Sequence, residues 1–375
     1  MRKEPLILIV EDNPASLDIM QVRLTANKYQ VVTATDGEEG LAMAQAHHPD
    51  LILLDIMMPK MGGLEVCRRL KNDPRLPFMP IIMVTAKADS KDVIAGLEAG
   101  GDEYLTKPVD HGSLVARVKS MLRIKELHDT VLDQSSQLKN QLKTASVIQK
   151  LFWPELPNFG GGVHVWAASH PASYVGGDFY DVITLPDTSI IAYVADVSGK
   201  GVPAALIMAA LSMKIRTEAL LQQDINSLLQ AVNTGMYNLA SEEGYFVTLV
   251  LLRLWPVEGK IELVRAGHPN PVWISDGVFK QIPPLKGVSL GIVTDVEYEK
   301  TELWLDSGDS LLLFSDGVIE AENEARELFG DERLIDYIDS AKDHPRGLEL
   351  LEVIGEWRGK AEVNDDLTLL EIWYD

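Results

Sequence analysis

The chain has 375 residues, 46% of them hydrophobic, and a formal net charge of -22, which is room for two or three domains with ordinary cores. A single cysteine, Cys67, excludes a disulfide framework and a cysteine zinc cage and points to a reducing, cytoplasmic setting. The charge is uneven: residues 1–125 hold 16 basic and 17 acidic residues, whereas residues 151–375 hold 15 and 36, so no nucleic-acid partner is expected for the C-terminal part.

The first apolar run, "LILIV", is five residues long and ends at Glu11 and Asp12. It is too short for a signal segment or a membrane span, and no later stretch reaches spanning length without charges. "LILIV" (6–10), "QVVTAT" (30–35), "LILLD" (51–55), "PIIMVTA" (80–86) and "EYLTKP" (103–108) alternate with amphipathic segments. Short, wholly apolar runs suit strands buried on both faces of a parallel sheet. The prediction is a doubly wound α/β domain with its ligands at the strand C-termini. Glu11 and Asp12, Asp55, Thr85 and Lys107 fall at those ends. Carboxylates there can hold a hard cation, the lysine can pair with phosphoryl charge, and one carboxylate can act as nucleophile.

On "VEDN", "LLDIMMP", "VTA" and "YLTKP", this segment resembles the receiver domain of two-component response regulators. The resemblance implies that Asp55 accepts a phosphoryl group from a sensor histidine kinase. It implies Mg2+ held by Glu11, Asp12 and Asp55, phosphoryl contacts from Thr85 and Lys107, and a switch aromatic at Tyr104.

Residues 121–153 contain neither glycine nor proline. A heptad frame places Ile124, Val131, Leu138, Ala145 and Phe152 on one seam position and Leu127, Gln134, Gln141 and Ile148 on the other. This reads as a parallel dimeric coiled coil with a soft middle, or as a single helix lying on a domain. Such a helix is a lever of about 1.5 Å per residue. Prolines and glycines in "WPELPNFGGG" end it. The expected division is a receiver at 1–122, a helical linker at 123–153 and a second domain at 154–375.

Beyond residue 160, strand-like runs dominate ("VHVWAAS", "FYDVITL", "SIIAYVAD", "FVTLVLLRLW", "KIELVRAG", "PVWIS", "SLLLFSD", "LTLLEIWYD"), with helical stretches at 203–221, 225–241 and near 347–358. Pro203 suits the start of the first helix. Grouped strands and helices suggest an α+β layer architecture. Four acidic turns adjoin strands: Asp178 in "VGGDFYD", Asp196 in "YVADVSGKG", Asp316 in "LFSDGV", and Asp365 with Asp366 in "NDDLTLL". Gathered together, such carboxylates need cations, and oxygen-only ligands suit Mg2+ or Mn2+. Two such ions can activate water for attack on phosphorus. "SDGV" also occurs at 275–278, between short strand-like pieces, so Asp276 is assigned to a hairpin turn rather than to a metal. The string "GGDFYD" is not the GGDEF signature of dinucleotide cyclases, because Phe179 stands where that signature needs glutamate.

The set of turns, with "SVIQKLFWPELP", "VGGDFYDV", "ADVSGKGVPAAL", "AGHPNP" and "NDDLTLL", resembles the PPM family of metal-dependent serine/threonine phosphatases in its bacterial SpoIIE/RsbU-like branch. The resemblance implies a β-sandwich flanked by helices with two Mg2+ or Mn2+ ions. By motif, Asp178, Asp196, the Val197 carbonyl, Asp316 and Asp365 are the expected ligands. Asp366 is the neighbour in its pair, and Asp181 supports the ligands or the fold. Gly176, Gly177 and Gly199 are expected to make tight backbone turns, and His268 to pack or hydrogen-bond. The phosphate-binding arginine of eukaryotic relatives has no clear counterpart. The implied substrate is a phosphorylated STAS-type anti-anti-sigma factor. Two rivals are an adaptor built on a decayed phosphatase domain and a transcription factor. The four retained aspartates argue against the first, and the absence of a basic recognition helix argues against the second.

Overall fold

The computed structural model describes all residues except 1, 3, 87–89, 157–158, 223, 276, 284 and 341–343, and the side chains of 90–93. The chain divides into two compact units, Met1–Lys139 and Asn140–Asp375.

In the first unit, β1 (Leu6–Val10), β2 (Gln30–Ala34), β3 (Leu51–Asp55), β4 (Ile81–Thr85) and β5 (Glu103–Thr106) form a parallel sheet in the order β2-β1-β3-β4-β5. The three inner strands are apolar up to the closing Asp55 of β3 and Thr85 of β4 and are buried throughout, whereas edge strands β2 and β5 are half-covered. Helices α1 (Pro14–Ala26), α2 (Gly37–His47), α3 (Gly63–Asn72) and α4 (Ser90–Glu98) connect them. Asn13 and Asp36 cap α1 and α2 by accepting from the Ser16 and Glu39 amides, which fixes where each chain crossing begins. One face of the sheet packs Leu8, Ile52 and Ile81 against Val66 and Leu70 of α3. The other packs Ile7, Leu53 and Ile82 against Met20 and Leu24 of α1 and Leu114 and Val118 of the helix that follows. Cys67 lies fully buried in α3, and burial pushes its thiol up to about 11. That next helix, α5, runs unbroken from His111 to Gln149 and ends in a 3-10 turn at Lys150–Phe152. It therefore begins ten residues before the glycine- and proline-free stretch that signalled it.

The second unit contains two antiparallel sheets. One has β7 (Phe179–Thr184), β8 (Ile190–Val197), β9 (Val247–Trp255), β10 (Lys260–Ala266) and β13 (Lys300–Trp304) in the order β13-β10-β9-β8-β7. The other has β6 (Val163–His170), β11 (Val272–Ser275), β12 (Val278–Lys280), β14 (Ser310–Phe314) and β15 (Leu367–Tyr374) in the order β12-β11-β14-β15-β6. Side chains alternate faces along each strand. Tyr180, Val182, Ala192, Val194 and Leu252 of the first sheet thus meet Leu311, Leu313, Leu370 and Ile372 of the second in one core. The outer face of the first sheet carries Phe179, Tyr193 and Leu251 against α6 (Val202–Leu221) and α7 (Ile225–Ala240). The outer face of the second carries Leu312, Phe314 and Leu369 against α8 (Gly330–Ser340) and α9 (Arg346–Arg358). The result is a helix–sheet–sheet–helix sandwich.

Helix α8 and strand β13 were not expected from the sequence. "TELW" is short and charged, and "GDERLIDYIDS" follows an acidic stretch that reads as loop until Leu334 and Ile338 are seen to reach the core. Asp276 lies outside the described residues. The strands beside it pair antiparallel, with Ser275 opposite Val278.

Candidate phosphoryl and metal sites

At the C-terminal edge of the parallel sheet, Glu11, Asp12 and Asp55 each bring a carboxylate oxygen within 4.8 Å of the others, the one such trio among the described residues. Lys107 Nζ lies 2.8 Å from the Glu11 carboxylate and 2.9 Å from Asp55 Oδ2. Burial raises the Glu11 pKa, and the Lys107 hydrogen bond opposes the rise. Burial also pulls the Lys107 ammonium down, yet its bonds to Glu11 and Asp55 outweigh this and raise it. The ammonium is therefore charged, shared between the two carboxylates. Thr85 is buried at the end of β4, and its carbonyl accepts from the Lys107 amide at 2.7 Å. Tyr104, on β5, lies under the Arg117 guanidinium, 5.3 Å from the ring centre. The oxygen-only trio fits a hard divalent cation.

The second site follows from the sandwich itself. Asp178 continues the inward row of Tyr180 and Val182, and Asp196 that of Ala192 and Val194. Asp366 continues the row of Leu370 and Ile372 through Thr368. Where the apolar rows run out, acids replace them, at one end of the space between the sheets. Asp316 enters from the turn after β14, and Asp365 from just before β15.

The Asp366 carboxylate accepts from the amides of Ala172 (2.8 Å), Gly177 (2.7 Å) and Asp178 (3.3 Å). It is spent on holding the turn that presents Asp178. A Cβ on Gly176 would stand 2.1 Å from Asp366 Oδ2, and one on Gly177 2.8 Å from the Val197 carbonyl oxygen. Both glycines are needed for this close approach. It also brings the Val197 carbonyl to the same place. Gly199 holds φ +92° in the next turn.

The acids load one another. Burial, then the Asp196 charge, pushes Asp178 far above the carboxylate range, against hydrogen bonds from Ser315 and Thr368. Burial and Asp316 push Asp196 up to about 7. Burial and Asp365 raise Asp316. Asp178 Oδ2 is buried with no hydrogen-bond partner. A buried, unsatisfied carboxylate oxygen amid like charges is costly without a cation. The donors are oxygens throughout, so the set fits Mg2+ or Mn2+. Among the described residues, no three of these acids close to within 4.8 Å of one another as the receiver trio does.

Asp181 points the other way. It is fully buried on the outer face, where the Arg216 guanidinium of α6 holds both its oxygens at 2.7 Å and Tyr193 donates at 3.3 Å. Burial raises its pKa and Arg216 opposes the rise. It supports the fold behind the acids. His268 is buried, sharing a 2.7 Å hydrogen bond with Thr248 Oγ1, which agrees with a packing role.

Sequence reasoning missed three residues. Lys200 sits 3.3 Å from Asp365 Oδ2 and donates to the Asn364 carbonyl. Glu320 feels burial, then Asp316 and Asp365, and its pKa rises. Gln149 hydrogen-bonds the Gly176 backbone. Only the position of Lys200 between two glycines, three residues past Val197, carried a local signal.

Residues 7–119 match the response regulator receiver domain, and residues 186–374 match Stage II sporulation protein E (SpoIIE). The SpoIIE match spans Asp196, Asp316 and Asp365, and Asp178 precedes it. The chain is 47% identical over 123 residues to the response regulator PleD of Caulobacter vibrioides, covering 33% of this chain and 27% of PleD, so it spans about a quarter of that relative. The SiaA-PP2C domain of Pseudomonas aeruginosa superposes with a TM-score of 0.55 at 23% identity, over 64% of this chain and 99% of that one, and shares its fold. The RsbU and RsbW domains of Rv1364c from Mycobacterium tuberculosis superpose with a TM-score of 0.50 at 26% identity, over 59% and 61%. With half its length in that match and the acids at the end of a helix-flanked sandwich, the chain belongs to the SpoIIE family of PPM-type phosphatases and carries a response regulator receiver domain in front.

Proposed function

We propose that the chain is a response regulator in which phosphorylation of Asp55 by a sensor histidine kinase controls a metal-dependent protein serine/threonine phosphatase. The observation that carries this reading is the row of acids closing the sandwich, with an Asp178 oxygen buried and unpartnered. Asp178, Asp196, the Val197 carbonyl, Asp316 and Asp365 are assigned to two Mg2+ or Mn2+ ions, and Asp366 to the turn that orients Asp178. Bound ions of this kind polarise phosphoryl oxygens and lower the pKa of water. The chain's own part is to fix the acids on two rigid sheets, with Lys200 beside Asp365. The Lys200 side chain is 63% exposed, so its ammonium can leave Asp365 and meet the substrate phosphate. In the receiver, Glu11, Asp12 and Asp55 are assigned to one Mg2+, Lys107 and Thr85 to the phosphoryl oxygens, and Tyr104 to the response.

The assigned organisation is a receiver at 1–122, a helical linker at 123–153 and a phosphatase domain at 154–375. Ile124, Leu127, Val131, Leu138 and Ile148 of the heptad frame are exposed along α5, which supports a homodimer through a parallel coiled coil. Among the described residues no helix is long and apolar enough to cross a membrane, and the assigned location is the cytoplasm. The assigned substrate is a phosphorylated STAS-type anti-anti-sigma factor, a reading supported by the likeness to a protein that carries RsbU and RsbW domains.

The test is phosphate release from an aryl phosphate and from a phosphoserine protein with Mn2+, with and without a phosphoryl mimic on Asp55. Release should fall at least about a hundredfold in Asp316→Asn, and the mimic should change the rate. No release from the folded chain in any receiver state would instead favour an adaptor that binds its partner without turnover.

A further inference from the structure

The last residue of α5 grips the turn that carries Asp178. Gln149 is only 6% exposed, although its helical neighbours Ile148 and Lys150 face solvent. Its amide Nε2 donates to the Gly176 carbonyl at 2.7 Å, and its Oε1 accepts from the Gly176 amide at 3.2 Å. Both hydrogen-bonding groups of one glycine are thus taken by one side chain. The next residues of the same turn, Gly177 and Asp178, donate their amides to Asp366. The turn is held from one side by the end of α5 and from the other by Asp366, the residue just before β15.

We infer that Gln149 is a positioning residue for the metal centre, and that the rotation of the last turn of α5 sets the placement of Asp178. Two opposed hydrogen bonds to the two peptide groups that flank one residue are directional. They survive only when the amide lies in the plane of that backbone. One residue of helical rotation, about 100°, swings the amide away and releases both groups. The turn then keeps only its Asp366 side. Gly176 cannot be restrained by a side chain of its own, because Asp366 fills the space a Cβ would take. The turn depends on groups supplied from outside it, and Gln149 is one of the two. Asp178 has a buried, unpartnered oxygen, so a small shift of this turn changes whether that oxygen reaches a cation.

The inference rests on the metal-phosphatase reading of the same site, and its test separates the two. The full-length chain carrying Asp12→Asn and Asp55→Asn, which silences the receiver's cation trio, is titrated with Mn2+ by calorimetry. The same chains are assayed on a phosphoserine protein. Gln149→Leu keeps the bulk and loses both bonds. Gln149→Glu keeps the acceptor and loses the donor, and carries the test if the leucine variant does not fold. Positioning predicts Mn2+ affinity at least about tenfold weaker and a comparable loss of kcat with KM little changed, while the thermal midpoint of the metal-free chain falls only by the few degrees that two lost buried hydrogen bonds cost. A folded variant with unchanged Mn2+ affinity and kcat overturns the inference, whatever its thermal midpoint. If the parent binds Mn2+ without hydrolysing anything, the phosphatase reading fails and the affinity comparison still decides the role of Gln149. If the parent binds no Mn2+, both fall.

Discussion

At the scale of single residues, charge and burial pull Lys200 and His268 in opposite directions. Lys200 ion-pairs with Asp365, an assigned ligand of the phosphatase centre, and both partners are exposed, at 63% and 44%. A surface ion pair of this kind is worth about 0–1 kcal/mol to stability. Lys200→Met should therefore leave the thermal midpoint nearly unchanged while raising KM for a phosphoprotein several-fold; steady-state kinetics on purified variants would show it. An unchanged KM would mean the ammonium serves only Asp365. His268 is the reverse case, fully enclosed and held down to about 3 by burial, against a Phe314 carbonyl that favours the charged form. In the unfolded chain it titrates near its ordinary value of about 6.5. The unfolded state thus binds more protons between those values. The stability His268 contributes is complete above about pH 6.5 and is lost as pH falls toward 3, by at most about 1.4 kcal/mol per pH unit. Denaturant unfolding of wild type and His268→Gln across that range should show the difference, and parallel curves would refute it.

At the scale of elements, the buried contact between β7 and α6 is the informative one. Asp181 is wholly enclosed, and Arg216 reaches it from a helix surface with 40% of its side chain exposed. Removing the arginine leaves a buried carboxylate without its cation, which in fully enclosed pairs costs about 3–5 kcal/mol. Water at Arg216 reduces that, so Arg216→Met should cost about 2 kcal/mol. The Asp181 pKa is already raised by burial and would rise further. Since the folded value then lies above the unfolded one, the variant is most stable below the ordinary carboxylate pKa and loses stability as pH rises through the folded value. Thermal unfolding at two pH values separates this from a plain packing defect. The sequence made β7 and α6 legible as elements, because alternation and a proline at a helix start are local signals. It also placed Asp178, Asp196, Asp316 and Asp365 at strand ends, where motif spacing is local too. Arg216, Lys200 and Gln149 were not legible in these roles. Each acts on a partner 27 to 165 positions away, and nothing in their own neighbourhoods marks that distant partner. Helix α8 escaped for a related reason, since its apolar residues are sparse until the sheet they cover is in place.

For the molecule as a whole, the two units carry different chemical labels. The chain's single thiol, Cys67, lies in the core of the parallel sheet domain, whereas all seven tryptophans lie at residue 153 or beyond. A thiol reagent can reach Cys67 only when the receiver opens, and tryptophan emission reports only the second unit. Labelling rate and emission can therefore be followed in one sample of unmodified protein as denaturant rises. If the units open independently, the two midpoints will differ, and a phosphoryl mimic on Asp55 will move the thiol midpoint alone. If receiver occupancy is felt by the second unit, the emission midpoint will move with it. The uneven placement of one cysteine and seven tryptophans thus makes the wild-type chain its own two-channel reporter of communication between its units.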